Sequence, residues 1–302
     1  MNRKQCSPVI LFVYNRPEHT KTTLYYLSKN QSINNSELFV FSDGPKTEQD
    51  YPKILKVRNI IRKFKDSKNV TIAEYKENQG LSKSIIDGIS KVLNQYNSAI
   101  ILEDDIVTSA AFLEYMNLGL NKFSNVQNIG SICGYLEPIR HNIKNPFLLT
   151  KGTSWGWATW KRVWNEIIWD TNKLVEKIER SNKMDLYNFG GFSYYDLLLA
   201  QQRKEIDSWA IRFYTSCFLK ELLHLTPPKS LCRNIGFDGT GTHCRNDSFF
   251  FIKELNKKTP SLDNISLQPN TSIHKILKRK RKIHKVRGIF IYYINRISSI
   301  FK

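Results

Sequence analysis

The stretch ILEDDIVTS, residues 101–109, runs three acids, Glu103, Asp104 and Asp105, straight out of an apolar segment. The preceding AIIL, residues 99–102, is a short apolar run bounded by a polar turn, the pattern of a strand buried on both faces. Such strands belong to parallel sheets, whose carboxyl ends open onto the ligand crevice. Burying even part of three adjacent like charges is costly without a compensating cation. Hard carboxylate oxygens suit Mn²⁺ or Mg²⁺, which also bridge the phosphates of a nucleotide. Asp105 is the candidate metal ligand, with Glu103 and Asp104 placed for sugar or ribose hydroxyls or for metal-bound waters. A solvated surface loop is the competing reading of the same residues.

Upstream, the chain repeats a strand-then-helix rhythm. VILFVY (9–14) is followed by NRPEH, where Pro17 starts a helix; LFVF (38–41) leads into SDGP; a helix spans roughly 50–65. VTIAEY (70–75) precedes KENQG and a helix carrying Leu81, Ile85 and Ile89. A further helix is expected from Ser109, as N-cap, to about Lys122. Four strands separated by helices predict an α/β fold with a mostly parallel, Rossmann-type sheet flanked by helices. Each strand end is more polar than its strand. Arg16 is placed to meet phosphate, or else pairs with Glu18 on the surface. Asp43 contacts the nucleotide or stabilises its turn. Asn78 and Gly80, with Lys83 after them, let the backbone approach the nucleoside or simply form a turn and a helix cap.

From residue 129 the rhythm changes. IGSICGY reads as another core strand, 170–190 as an irregular polar segment, and 193–204 and 207–220 as helices. Trp155, Trp157, Trp160 and Trp164 fall within ten residues of a chain with six tryptophans. Trp160 and Trp164, four apart, read as core. Trp155 and Trp157 are placed to stack on the apolar face of a sugar, with Gly156 letting the backbone run close beneath it. Asp207, at the start of the second helix, is either a catalytic base or a helix-terminal acid. The expected division is a body of residues 1–262, split at 125/126 into a nucleotide-binding and an acceptor-side half, and a basic segment of 263–302.

With 46 Lys and Arg against 27 Asp and Glu, the formal charge of +19 implies anionic partners. Ten of those basic residues lie beyond Asp263, after which there is no acid. Residues 270–302 are too short and too charged to span a bilayer but suit an amphipathic helix on an anionic membrane surface. A partner-binding arm competes with that reading. Nucleic acid is disfavoured, since no RNA- or DNA-binding motif accompanies the charge. Five cysteines without a CxxC pair read as reduced thiols, and the apolar run near the N-terminus is short for a signal peptide. The expected location is therefore cytoplasmic, peripheral at the inner face of the membrane. No GxGxxG or GxxxxGK[ST] is present, which removes the main support for a nicotinamide-dependent enzyme or a P-loop hydrolase.

The order of these motifs resembles that of the GT-A-fold glycosyltransferases, in particular bacterial relatives of N-acetylglucosaminyltransferase I, over about residues 7–245. The resemblance is carried by Asn15-Arg16-Pro17 after the first strand, Asp43 after the second, Glu103-Asp104-Asp105 after the fourth, GTSWGWATWKRVW at 152–164, Asp207 before Trp209, and SLCRNIGFDGTGTHC at 230–244. It implies a metal-dependent, inverting transfer of a sugar, with N-acetylglucosamine a candidate. The donor would be a nucleoside diphosphate sugar, UDP-linked, and the acceptor a saccharide or lipid-linked molecule in surface polysaccharide or glycolipid synthesis. It further implies Asp207 as base and His243 as a metal contact, although a structural histidine is the simpler account of the latter. A nucleotidyltransferase and a non-enzymatic saccharide- or nucleic-acid-binding module are the alternatives.

Overall fold

The computed structural model describes residues 6–65, 69–238 and 248–300, with side chains from 249 to 286 in the last stretch. The first half alternates β1 (Val9–Val13), α1 (Pro17–Ser28), β2 (Leu38–Ser42), α2 (Tyr51–Lys65), β3 (Val70–Glu74), α3 (Leu81–Leu93) and β4 (Ser98–Glu103). These four strands are mutually parallel in the order β3-β2-β1-β4. Every residue of β1 and β2 is buried, as strands covered on both faces must be. The helices turn apolar stripes to the sheet: Ile54, Val57 and Ile61 on α2, and Ile85, Ile89 and Val92 on α3.

The second half adds β5 (Ile106–Thr108), α4 (Phe112–Lys122), β6 (Ile129–Cys133), β7 (Phe147–Leu149), β8 (Trp157–Trp160) and α5 (Lys161–Trp164). It continues through α6 (Thr171–Arg180), α7 (Met184–Tyr187), α8 (Tyr194–Gln202), α9 (Trp209–Leu219), β9 (Leu223–Thr226), β10 (Cys232–Asn234) and α10 (Thr271–Ile300). The main sheet grows to eight strands, β3-β2-β1-β4-β8-β6-β9-β7. β8 runs antiparallel to β4 and β6, and β7 antiparallel to β9. The result is a mixed α/β fold with a largely parallel core sheet flanked by helices, an arrangement consistent with the GT-A type. The chain reverses its direction of travel across the sheet at β1, so the ends of β1 and β4 border the switch point where ligands bind in open sheets.

Three expectations need correction. Residues after the acids do not enter a helix at Ser109: Ile106–Thr108 pair antiparallel with β10, and α4 starts at Phe112 with no side-chain cap. The partner strand comes from more than a hundred residues away, so the local sequence gives no sign of it. Residues 170–190, read as irregular, form α6 and α7; Asp170 caps α6 by accepting from the Asn172 and Lys173 amides, and Leu174 and Ile178 are buried. Trp160 and Trp164 are core residues as expected, but on a strand and the helix that follows it rather than on one helical face. Arg162 ties this region together by donating to the carbonyl oxygens of Val126 at 2.8 Å and Ile129 at 3.1 Å just beyond α4.

The basic C-terminal segment is, in its first turns, part of the body. Ile273 and Leu277 are buried against Leu136, Phe147, Leu149 and Phe189. Gly190 and Gly191, at φ 62° and 82°, form the turn that meets this helix; a Cβ on Gly190 would lie 2.6 Å from Cβ of Arg281. The amphipathic face expected over 270–302 is therefore partly an internal packing face, and the side chains beyond 286 lie outside those described. Among the described residues no helix is long and apolar enough to cross a membrane.

Gly88 shows how tightly α3 sits on the sheet. A Cβ there would lie 2.7 Å from Cε1 of Phe12, whose ring stacks on Phe41 at 5.4 Å. Alanine in place of glycine gains roughly 1 kcal/mol in a helix interior, whereas overpacking costs about 1–3 kcal/mol, so the clash sets the sign. Gly88→Ala should lower the stability measured by urea unfolding, and Phe12→Leu in the same chain should recover most of the loss. A more stable Gly88→Ala protein would show that α3 is not seated as described.

Candidate functional site at the strand ends

The acids that end β4 are buried with a cation already among them. Asp104 and Asp105 are 3% and 7% exposed. The guanidinium of Arg16 donates to Oδ1 of Asp104 through a close contact and to Oδ2 of Asp105 at 3.0 Å. Arg16 is delivered by the β1–α1 turn, itself pinned by Asp50, which accepts from Tyr14 Oη at 3.0 Å and Asn15 Nδ2 at 2.8 Å. Thr23 on α1 donates to the carbonyl oxygen of Asp104 at 2.7 Å, fixing the backbone. One positive group against three carboxyls is incomplete compensation. Burial, then the charges of Asp105 and Asp104, push the Glu103 carboxyl upward, and burial raises that of Asp104 against the pull of Arg16.

β10 closes this corner. The Ile235 amide donates to the carbonyl oxygen of Asp105 at 2.8 Å, and Gly236 follows so closely that a Cβ on it would lie 2.4 Å from Asp105 Oδ2. Only glycine fits beside that carboxylate. Oδ1 of Asp105, by contrast, is buried and accepts no hydrogen bond from the described residues. A hard divalent cation commonly takes one or two carboxylates and fills its shell from phosphates and water. The Asp105 oxygen fits that use, although among the described residues no group of three or more His, Cys, Asp or Glu side chains is arranged to hold a metal on its own. His243 lies outside the described residues.

At the neighbouring ends of β2 and β3 a second group assembles. Asp43 Oδ1 accepts from the amides of Gly44 and Gln79, each at 2.8 Å, and Oδ2 accepts from Asn78 Nδ2 at 3.2 Å. Burial raises its carboxyl, opposed by those backbone donors. Asn78 also donates to the Gly44 carbonyl at 2.9 Å, so the two turns are locked together. Gly80 takes φ 79° to start α3. Asp207 reaches this point from the other half of the chain: its Oδ2 accepts from the Ser82 amide at 3.2 Å, capping α3, while Oδ1 lies 3.9 Å from Arg212. Its side chain is more than half exposed.

Arg16, Glu103, Asp104 and Asp105 thus form one cluster, and Asp43, Asn78, Gly80 and Asp207 another. β2 and β4 flank β1, which sets the two clusters roughly 10 Å apart. The remaining expected residues lie elsewhere. Lys83 pairs with Asp87 on the exposed side of α3. Gly156, at φ 58°, permits a close approach to Cys232 and Phe112 inside the protein, where a Cβ would lie 2.9 Å and 3.0 Å from them. Trp157 is buried and stacks on Trp209 at 5.3 Å, and Trp155 packs edge-on against Tyr135 at 4.6 Å. Both indoles border a separate cavity beside α9, with His224, Glu137 and Arg281, three residues that the sequence reading did not single out. The four described cysteines are free thiols.

The fold and the strand-end site define a mixed α/β protein with a largely parallel core sheet, consistent with a GT-A-like arrangement, and acidic residues at the switch point. No family model matches the chain, and no curated protein does. Among solved structures it is similar to a mannosyltransferase from Pyrobaculum calidifontis in complex with GDP-mannose and Mn²⁺, at 14% identity and a TM-score of 0.39, covering 75% of this chain and 56% of that one. It is similar to TarS from S. aureus at 12% identity and a TM-score of 0.36, over 52% of this chain and 28% of TarS. A UDP-glucose pyrophosphorylase complexed with UDP-glucose matches at 11% identity and a TM-score of 0.38, over 73% of this chain and 90% of that one. The chain therefore spans less than two thirds of the mannosyltransferase and of TarS. These likenesses include sugar and nucleotide chemistry alike and do not single out relatives of N-acetylglucosaminyltransferase I.

His224 offers a check on the buried half of the molecule. It is 1% exposed, and burial pushes its imidazole down to about 4. An unfolded chain's imidazole titrates near ~6.5. Between these values the unfolded chain binds a proton that the folded one refuses. Stability must therefore fall as pH drops from about 6.5 to about 4, by at most about 1.4 kcal/mol per pH unit. Urea unfolding between pH 7 and pH 4.5 should show a shallower slope for His224→Gln than for the natural protein; equal slopes would place a charged, compensated His224 in the fold.

Proposed function

We propose that this protein is a metal-dependent, inverting glycosyltransferase that moves a sugar from a nucleoside diphosphate donor, UDP-linked, to a saccharide or lipid-linked acceptor. The observation that carries the reading is the buried, unpaired Oδ1 of Asp105 at the switch point, beside Arg16 and two further acids. A cation bound there would neutralise the departing diphosphate. Arg16 is placed to share in binding the phosphates, and Glu103 and Asp104 to accept from donor hydroxyls. Asp43 and Asn78 form a rigid polar wall for the nucleoside. Asp207 supplies an exposed carboxylate on the acceptor side that can take the hydroxyl proton as the acceptor attacks opposite the phosphate, which inverts the anomeric carbon. N-acetylglucosamine is the first donor sugar to try, on the resemblance of the motifs.

Incubation with Mn²⁺ and a panel of nucleotide sugars, with nucleotide release followed, should reveal turnover for at least one donor. Asp105→Asn should remove the manganese-dependent part of UDP binding in calorimetry. Asp207→Ala should leave UDP binding in place and lower turnover by about 10²–10⁴-fold. Release of pyrophosphate instead of a nucleoside diphosphate would make the protein a nucleotidyltransferase. Nucleotide binding that ignores both Mn²⁺ and Asp105→Asn would reduce the acids to surface charge.

The exposed basic side of α10, which also carries Ile283 and Val286 at 45% and 59% exposure, is proposed to rest on an anionic membrane surface at the inner face of the cytoplasmic membrane. Sedimentation with phosphatidylserine vesicles, weakening as salt rises, is the expected result. Equal recovery with neutral vesicles would leave the helix to a protein partner or to solvent.

A further inference from the structure

The cavity beside α9 has a volume of about 340 Å³, within the range of small-molecule sites. Its walls are largely aromatic, and Ser208 and Trp209 in its lining follow directly on Asp207. Five of its residues carry a buried polar side-chain atom without a hydrogen-bond partner: Lys151 Nζ, Thr153 Oγ1, Trp157 Nε1, His224 Nε2 and Glu137 Oε2. Native interiors leave few such atoms, so five around one cavity point to a missing ligand.

The balance of these groups says what the ligand is. The ammonium of Lys151 and the indole N–H of Trp157 can only donate; Thr153 and His224 can donate or accept; Glu137 alone can only accept. Glu137 already has its cation, because Arg281 of α10 donates to its Oε1 and to Tyr194 Oη at 2.7 Å. Among the described residues Lys151 has no counterion. Its Nζ sits 3.4 Å from the ring centre of Tyr194, and burial holds it well below the usual lysine value. A buried cation without a partner is costly, and an aromatic face offsets only part of that cost. The cavity is thus rich in donors, and an anionic group beside Lys151 would let that amine hold its proton and give it the partner that the cavity's own residues do not supply. Flat aromatic walls around a polar floor suit the apolar face of a sugar ring.

We infer that this cavity is the subsite for an acidic sugar residue of the acceptor, whose carboxylate or phosphate group meets Lys151 while its ring lies against the aromatic wall. Its assignment to the acceptor rests on the glycosyl transfer reading, but binding to it does not. The full chain, without Mn²⁺ or nucleotide, can be titrated with glucuronic acid, glucose 6-phosphate, glucose and inorganic phosphate while the fluorescence of the cavity tryptophans is followed. One acidic sugar should bind about tenfold or more tightly than glucose, the worth of one charge-assisted hydrogen bond, and the better of the two identifies the anionic group. Lys151→Met should abolish that preference and raise the melting temperature by removing the unpartnered buried amine. Equal binding of glucose and both acidic sugars overturns the inference, as does a Lys151→Met protein that keeps the preference. Inorganic phosphate binding as tightly as glucose 6-phosphate overturns the sugar part. If Lys151→Met fails to fold, the ranking of the four probes on the natural protein decides. In the natural protein, no acidic preference beside intact manganese-dependent UDP binding discards the subsite alone; the converse discards the transferase reading alone.

Discussion

The contact on which the site depends is that of Arg16 with Asp104 and Asp105. A parallel sheet delivers the end of β4 into a crevice at the switch point, and the sequence puts carboxylates there. Without an internal cation those carboxylates would oppose folding. Arg16 offsets the cost from the adjacent strand, which in turn demands that the β1–α1 turn be held still. The Asp50 contacts to Tyr14 and Asn15 and the hydroxyl of Thr23 on the Asp104 carbonyl do that. Compensation stops short of neutrality. Among the described residues, one Asp105 oxygen is left with no donor.

The architecture of the first half was legible in the sequence because its signals are local. Apolar runs without alternation mark strands covered on both faces, and each is followed by a helical period and a polar turn. The positions of Arg16, Asp43, Asn78 and the acids followed from being at strand ends. What was not legible depends on distant partners. β5 exists because β10 returns to pair with it, and Gly236 is required because that return passes against Asp105. Glu137, Lys151 and Arg281 stand alone in unremarkable stretches of sequence, and only the fold brings them around one cavity. Gly156 has the kind of backbone freedom expected of it, spent on packing against Cys232 and not beneath a sugar.

Asp207 links the two halves. Its carboxylate accepts from the first turn of α3, so the helices of the second half are fastened to the turn that carries Asn78 and Gly80. The same side chain therefore satisfies an orphan amide at a helix terminus and directly precedes Ser208 and Trp209 of the cavity lining. Its two carboxylate oxygens face different neighbours.

The Glu137–Arg281 pair has a consequence for how the protein is made. Domains begin to fold from the N-terminal side as the chain emerges from the ribosome. Glu137 and its guanidinium partner stand 144 positions apart, so the pair forms only after Arg281 has been synthesised. Until α10 docks, Leu136, Phe147, Leu149 and Phe189 lack the cover of Ile273 and Leu277. Docking of α10 is therefore a late event in the assembly of this body.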